Sequence, residues 1–376
     1  MPSISSTENL LAELSERQRE AVTHTGGPLL IVAGPGSGKT RVMAHRVAYL
    51  VGEKGIPPWK ILAVTFTNKA ARELRERCER LVGVGSNELQ VRTFHGFCSR
   101  VLRADGDKVG LKPEFTIYDA DDQARVARKI LNDFDVDPKQ FPPRALLSVI
   151  SDAKNNMRSP AQLSRRTETY RDEVAVRVYE AYEGALQRAN AVDFDDLLLK
   201  TFLLLEGHPE MLEKYQERFE HLLVDEFQDT NALQFQVARL LAMKSQNICV
   251  VGDPDQSIYS WRHADPTNLT DFQSTFKNTK IVTLDQSYRS TQIILEAADA
   301  VIGNNDGRME KTLWTENSRG TRITVAEAYN EEEEASLVLK AATDLKNKDG
   351  IGRNEVAIMY RVNAQSRAFE VACNRE

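Results

Sequence analysis

Two short stretches of this chain carry the charged side chains that phosphate chemistry needs. The first is AGPGSGKT at residues 33–40, which follows the apolar run PLLIVA (28–33) and precedes a stretch with helical apolar spacing (39–50). Glycines let a backbone curl until its N–H groups face one anion, and the N-terminus of the next helix adds the positive end of its dipole. In such a phosphate loop Ala33, Gly34, Pro35, Gly36, Ser37 and Gly38 form the curled backbone. Lys39 then reaches the β- and γ-phosphates of a nucleotide such as ATP, and Thr40 offers its hydroxyl to Mg²⁺. The strict pattern begins with glycine, and alanine stands at position 33. The same residues could make an ordinary turn, but a strand before and a helix after favour the phosphate loop.

The second stretch is VDEFQD at 224–229, directly after the apolar run that starts at His221. Asp225 is suited to hold Mg²⁺ directly or through water, and Glu226 to orient and deprotonate an attacking water. Two adjacent carboxylates could instead cap a helix or face solvent. Combined with Lys39 they specify hydrolysis of the nucleotide as well as its binding.

These residues need a scaffold, and the rest of the chain supplies the pattern of one. Apolar runs of strand length recur at 61–65, 221–224, 248–251, 281–284, 324–326 and 356–359, with helical spacing between most of them. Strands interleaved with helices predict an α/β fold with a parallel sheet covered on both faces. Between residues 104 and 219 the pattern changes: 122–134, 144–155, 171–189 and 194–205 all read as helix, which predicts a helical insertion. The EEEE run at 331–334 reads as the solvated first turn of a helix.

Composition narrows the class. With 376 residues, 41% of them hydrophobic, the chain can build more than one core. Its 49 basic and 55 acidic residues give a net charge of −6, so any contact with a polyanion must be local. Cys78, Cys98, Cys249 and Cys373 lie far apart without zinc-ligand spacing, and each is expected to be a small buried hydrophobe. No apolar run approaches membrane-spanning length and no secretion signal opens the chain, so a soluble, cytoplasmic, nucleoid-associated protein is expected.

Seven motifs, taken in order, resemble the superfamily 1A DNA helicases of the UvrD/PcrA/Rep type. They are the phosphate loop, AVTFTNKAARE (63–73), TFHGFC (93–98), DFDDLL (193–198), VDEFQDTN (224–231), VGDPDQSIYSWR (251–262) and QSYRS (286–290). The resemblance implies a RecA-like phosphate-loop fold and an ATP-dependent motor that moves 3′ to 5′ on single-stranded DNA and separates duplexes in repair or recombination. It implies that Gln18 reads adenine, Arg41 touches the nucleotide, Gln256 senses the γ-phosphate, Tyr288 stacks on adenine and Arg289 neutralises the transferred phosphate. For DNA it implies Thr65, Phe66, Thr67, Asn68, His95, Tyr259, Trp261 and Arg262. Aromatic stacking of this kind grips any base without a strongly basic surface, which fits the acidic total. Taken alone, Phe66 or Trp261 could be core, and His95 a packed or capping histidine.

The expected lobes are a first RecA-like domain (1–105 with 200–280), the helical insertion (106–199) and an incomplete second RecA-like domain from 281. Arg289 would then come from the second lobe. The family's TxHxxKGLE-like segment and second catalytic arginine are absent, so this chain alone is not expected to unwind DNA. Implied partners are single-stranded DNA, single–double-strand junctions and repair proteins, with a monomer as the expected state and an oligomer during unwinding as the alternative. Pro254 stands where an acidic residue is common and His263 where glycine is common. An AddA- or RecB-like nuclease-linked subunit, an ATPase switch without unwinding, and a silent DNA-binding protein stay open as other readings.

Overall fold

The computed structural model describes residues 7–83, 88–165, 167–265, 267–305 and 311–375. The chain divides into two compact units, Met1–Arg319 and Gly320–Glu376.

The first unit is built on a six-stranded parallel sheet. Its strands are β1 (Leu29–Ala33), β2 (Ile61–Thr65), β3 (Gln90–Thr93), β6 (His221–Val224), β7 (Ile248–Gly252) and β8 (Lys280–Leu284), in the order β3-β2-β6-β7-β1-β8. Two shorter strands, β4 (Thr116–Ile117) and β5 (Ala191–Val192), form a separate parallel ladder. Alternate residues of each central strand serve opposite faces, which is why the runs are apolar throughout. Leu30, Val32, Leu62, Val64, Leu222 and Val224 pack on one face with Phe97, Phe202 and Phe235, while Leu29, Ile31, Ile61, Ala63 and Leu223 pack on the other with Val42, Met43 and Leu74. Truncating one of these leucines to alanine is expected to cost about 2–5 kcal/mol.

The helices expected in the insertion are present as Ala120–Asp133, Pro143–Asn155, Tyr170–Arg188 and Phe194–Gly207. The first three enclose their own core around Ile130, Leu146, Ile150, Tyr179 and Tyr182. The fourth does not join it: Leu197, Leu198, Phe202 and Leu205 pack with the sheet. The apolar pattern alone could not distinguish the two destinations. A buried charge cluster ties this helix to the insertion, because Lys154 Nζ lies 2.8 Å from each of Glu183, Asp193 and Asp196.

The last strand of the sheet lies at the start expected for the second lobe. Strand β8 pairs with β1 from Leu29↔Lys280 to Ala33↔Leu284, and the compact unit continues to Arg319. Arg289 and the phosphate loop lie in the same compact unit.

The second unit holds the helices Glu331–Asp349 and Ser366–Arg375. The acidic run opens the first of them as expected, with the Asn330 side chain accepting from the Glu333 N–H at 2.9 Å. The strands expected at 324–326 and 356–359 do not form: neither segment pairs with any of the described residues, and Val325 and Met359 are 93% and 91% exposed. An apolar run becomes a strand by finding a partner ladder, and neither segment has one among the described residues. Cys78, Cys98 and Cys249 are buried as expected; Cys373, on the amphipathic last helix, is exposed instead.

Candidate nucleotide cleft and nucleic-acid groove

The glycines of the phosphate loop do what the sequence requires of them. Gly36 and Gly38 have φ of +75° and +87°, a region that β-carbons disfavour, and any side chain at Gly36 would press on Ser287 and Arg289. Gly38 is also the N-cap of the helix Lys39–Gly52. Ser37 Oγ closes the loop by donating to the Gly34 carbonyl at 2.8 Å, and the Gly36 carbonyl accepts from the Tyr288 N–H at 2.9 Å. Gln18 is buried and donates through Nε2 to the Ser37 carbonyl at 2.8 Å, so it braces the loop from outside the cleft.

The cleft in front of the loop measures about 360 Å³ and gathers Lys39, Thr40, Arg41, Glu226, Gln256, Tyr288 and Arg289. Lys39 Nζ lies 3.4 Å from Glu226 Oε2, and Arg41 pairs with Glu13 at 2.7 Å. Glu226 has φ 48° and ψ 49°, an uncommon setting for a non-glycine residue, which turns its carboxylate toward Lys39. Gln228 Nε2 donates to Glu226 Oε2 at 2.9 Å, and Asp253 Oδ2 accepts from Gln256 Nε2 at 2.6 Å.

Asp225 is buried at the end of β6, where burial and the Glu226 charge push its carboxyl up to about 7 against the pull of Lys39. Asp229 is raised to about 6 by burial first and Glu226 second. A buried carboxylate that resists ionisation next to a second carboxylate is a site that a cation would relieve. The Asp225 carboxylate and the Thr40 hydroxyl are both hard oxygen donors, the kind that divalent cations of the first rows prefer.

A second cleft of about 440 Å³ lies between the sheet's edge and the insertion, and Thr65, Phe66, Thr67, His95, Trp261 and His263 line it. Thr65 ends β2; the Thr67 hydroxyl caps the helix Asn68–Val82 by accepting from the Ala70 N–H at 3.1 Å. Phe66 and Tyr259 stack at 4.8 Å between centroids, and Tyr259 meets Trp261 at 6.2 Å. Trp261 is 64% exposed, which excludes a core role for it; Phe66 is half-buried. His95 is half-buried, burial lowers its pKa, and its ring meets the edge of Phe194 at 5.9 Å. His263 has φ 63°, so the glycine usual there would sit more easily, and its Nδ1 lies 3.7 Å from Asp152 Oδ1 on the insertion.

Comparison with known proteins gives this geometry its family. The description "UvrD/REP helicase N-terminal domain" matches residues 14–277, and "UvrD-like helicase C-terminal domain" matches 282–376. The chain belongs to the UvrD/REP helicase family. Among relatives of this UvrD/REP chain is the ATP-dependent DNA helicase PcrA of Bacillus subtilis (strain 168), 46% identical over 364 residues, covering 97% of this chain and 49% of the relative. The proteins of the same name from Leuconostoc citreum and Staphylococcus aureus (strain Mu50 / ATCC 700699) are each 45% identical, covering 97% and 96% of this chain and 49% of themselves. The chain spans about half the length of the curated relatives it matches.

Most of the residues expected from the sequence of this UvrD/REP chain meet in the two clefts. Gln18, Ala33, Gly34 and Asp225 do not line the nucleotide cleft itself, Asn68 and Tyr259 do not line the second cleft, and the Arg262 side chain lies outside the described residues. Further residues line the clefts beyond those expected, Arg77, Phe194 and Asn155 among them. Arg77 lines the nucleotide cleft from a helix whose several arginines look alike in sequence, and Phe194 and Asn155 line the other cleft from the insertion side. The signal for Phe194 was an aromatic directly after a helix cap, 52% exposed in the fold. Among the described residues no helix is long and apolar enough to cross a membrane.

Proposed function

We propose that this chain carries the ATP-hydrolysing and strand-gripping machinery of a 3′-to-5′ DNA helicase, coupling ATP hydrolysis to movement on single-stranded DNA and to duplex separation in repair or recombination. The observation that carries the reading is the Lys39–Glu226 pair at 3.4 Å in a cleft shared with Gln256 and Arg289. The names of the relatives, ATP-dependent DNA helicases, support it.

In this mechanism the curled backbone at Gly36–Lys39 and the helix N-terminus take the phosphates, and Lys39 exchanges its carboxylate partner for the γ-phosphate. Freed of Lys39 but still held by Gln228, Glu226 accepts the proton of the attacking water. Arg289 and Arg41 offset the charge that develops on the departing phosphoryl group, while Tyr288 packs on the base and Gln18 keeps the loop in shape. Mg²⁺, held by Thr40 and Asp225, would supply charge neutralisation at the phosphate oxygens. The single strand would lie along Phe66, Tyr259 and Trp261, with Thr65, Thr67 and His95 toward its backbone and Asn68 and Arg262 flanking it. The lobe division remains part of the proposal, as do single–double-strand junctions as substrate and repair proteins as partners.

Phosphate release from Mg²⁺–ATP, measured with and without single-stranded DNA beside a DNA-binding titration, tests the reading. Hydrolysis indifferent to DNA, with no DNA binding, would assign the chain to the ATPase switches.

A further inference from the structure

After Arg289 the chain leaves the nucleotide cleft and then returns behind it. Leu313 fills the space that a side chain at Gly34 would need, the Trp314 carbonyl accepts from the Ser287 N–H at 2.8 Å, and Thr315 Oγ1 donates to the Ser287 carbonyl at 2.7 Å. At the head of this strip is Lys311, 8% exposed, with its Nζ paired to Asp253 Oδ1 and 3.0 Å from Asp255 Oδ2. A buried ammonium is tolerated when carboxylates face it, but a fold rarely places one without using it.

Asp253 is fully buried. One oxygen takes Lys311 and accepts from the Asp255 N–H at 3.1 Å, the other accepts from Gln256 Nε2 at 2.6 Å, and its backbone N–H donates to Gln228 Oε1 at 2.9 Å. Gln228 in turn donates to Glu226. The carboxylate that orients Gln256 is thus itself oriented by Lys311, on a strip that also touches the phosphate loop and the residues before Arg289.

We propose that Lys311 is a positioning residue for γ-phosphate recognition: its buried ammonium fixes Asp253, and through it the amide of Gln256, in the orientation that meets the terminal phosphate. The inference rests on the reading of this cleft as an ATP site with Gln256 as its γ-phosphate sensor. An ion pair that merely held the fold would affect every nucleotide alike. One that aims the sensor affects triphosphates selectively, because the α- and β-phosphates common to both nucleotides are held by the loop backbone, out of reach of Gln256.

The experiment is a pair of binding titrations with Mg²⁺ and fluorescent analogues of AMPPNP and ADP, on the wild-type chain, Lys311→Met, Gln256→Ala and the double variant. Losing one well-placed hydrogen bond to a charged phosphate predicts that Lys311→Met weakens the triphosphate about tenfold and ADP less than about twofold. In the Gln256→Ala background, Lys311→Met is expected to add no further loss, since both changes remove the same contact. Equal loss for both nucleotides, an unchanged preference in Lys311→Met, or additive effects would overturn the proposal. A wild-type chain that binds neither analogue would instead overturn the ATP reading itself. If Lys311→Met shows no cooperative thermal transition, Lys311→Met combined with Asp253→Asn takes its place, because it leaves no charge buried alone. That variant is expected to fold and to show the same flattened preference; a wild-type preference in it would overturn the proposal.

Discussion

Lys39 Nζ stands 3.4 Å from Glu226 Oε2, so the cation that should bind a phosphate and the base that should activate water face one another across the cleft. The two can be separated by mutation. Lys39→Ala is expected to weaken triphosphate binding. Glu226→Gln keeps the side chain's shape and is expected to preserve binding while slowing hydrolysis by about 10²–10⁴-fold, the usual contribution of a general base. A nucleotide titration beside a phosphate-release assay checks both; hydrolysis at the wild-type rate in Glu226→Gln would move the base elsewhere.

Trp261 is exposed beside a Phe66–Tyr259 stack, an arrangement ready to receive a base. Trp261→Ala is expected to weaken single-strand binding by about 1–3 kcal/mol and leave DNA-independent hydrolysis in place. Fluorescence anisotropy with a labelled oligonucleotide measures this, and unchanged affinity in a folded variant would return Trp261 to a purely coupling role.

What the sequence discloses and what it conceals follow from the range of the forces involved. Runs such as 61–65 and 221–224 coincide with β2 and β6, because a strand buried on both faces must be apolar throughout. Strand β3, Gln90–Thr93, leaves no apolar signal because QVRT is short and half polar. The phosphate loop and VDEFQD were legible as local chemistry. Arg77 and Lys311 were not, since each reaches its place through packing between distant segments. The failure at 324–326 and 356–359 runs the other way: local propensity was present and a pairing partner was not.

The insertion depends on one lysine. Burial works against the Lys154 charge, yet the carboxylates of Asp196, Asp193 and Glu183 hold its pKa well above the ordinary value. Lys154→Met would leave buried carboxylates facing one another and is expected to destabilise the insertion by about 3–5 kcal/mol. Hydrogen exchange should show early opening of Pro143–Asn155 and Tyr170–Arg188 with the sheet still protected. Uniform protection across the chain would mean that the cluster contributes little.

Acid should loosen the sheet through His221. Burial, then Arg46, lowers its pKa to about 4, so the folded chain keeps it neutral where an unfolded chain would take up a proton. The unfolded state binds more protons between the ordinary histidine value and about 4. Stability from this group is therefore complete above about pH 6.5 and is lost as pH falls toward 4, on the order of 3 kcal/mol in all. Chemical denaturation of wild type and His221→Gln across that window checks it: the variant's stability should change less with pH, and parallel curves would sink the assignment.

The Asp225 N–H donates to the Val64 carbonyl at 2.9 Å, and Val64↔Val224 is a ladder pair, so the segments leading into the two clefts leave neighbouring strands one hydrogen bond apart. A paired parallel ladder does not stretch. The first residues of the nucleotide site and of the groove therefore share one fixed origin, and a chemical event at Asp225 cannot displace Thr65 along the strand axis. On the proposed motor function, displacement between the two clefts would have to arise where the backbone leaves the ladder, in the turn from Glu226 to Asp229 and the loop from Asp253 to His263.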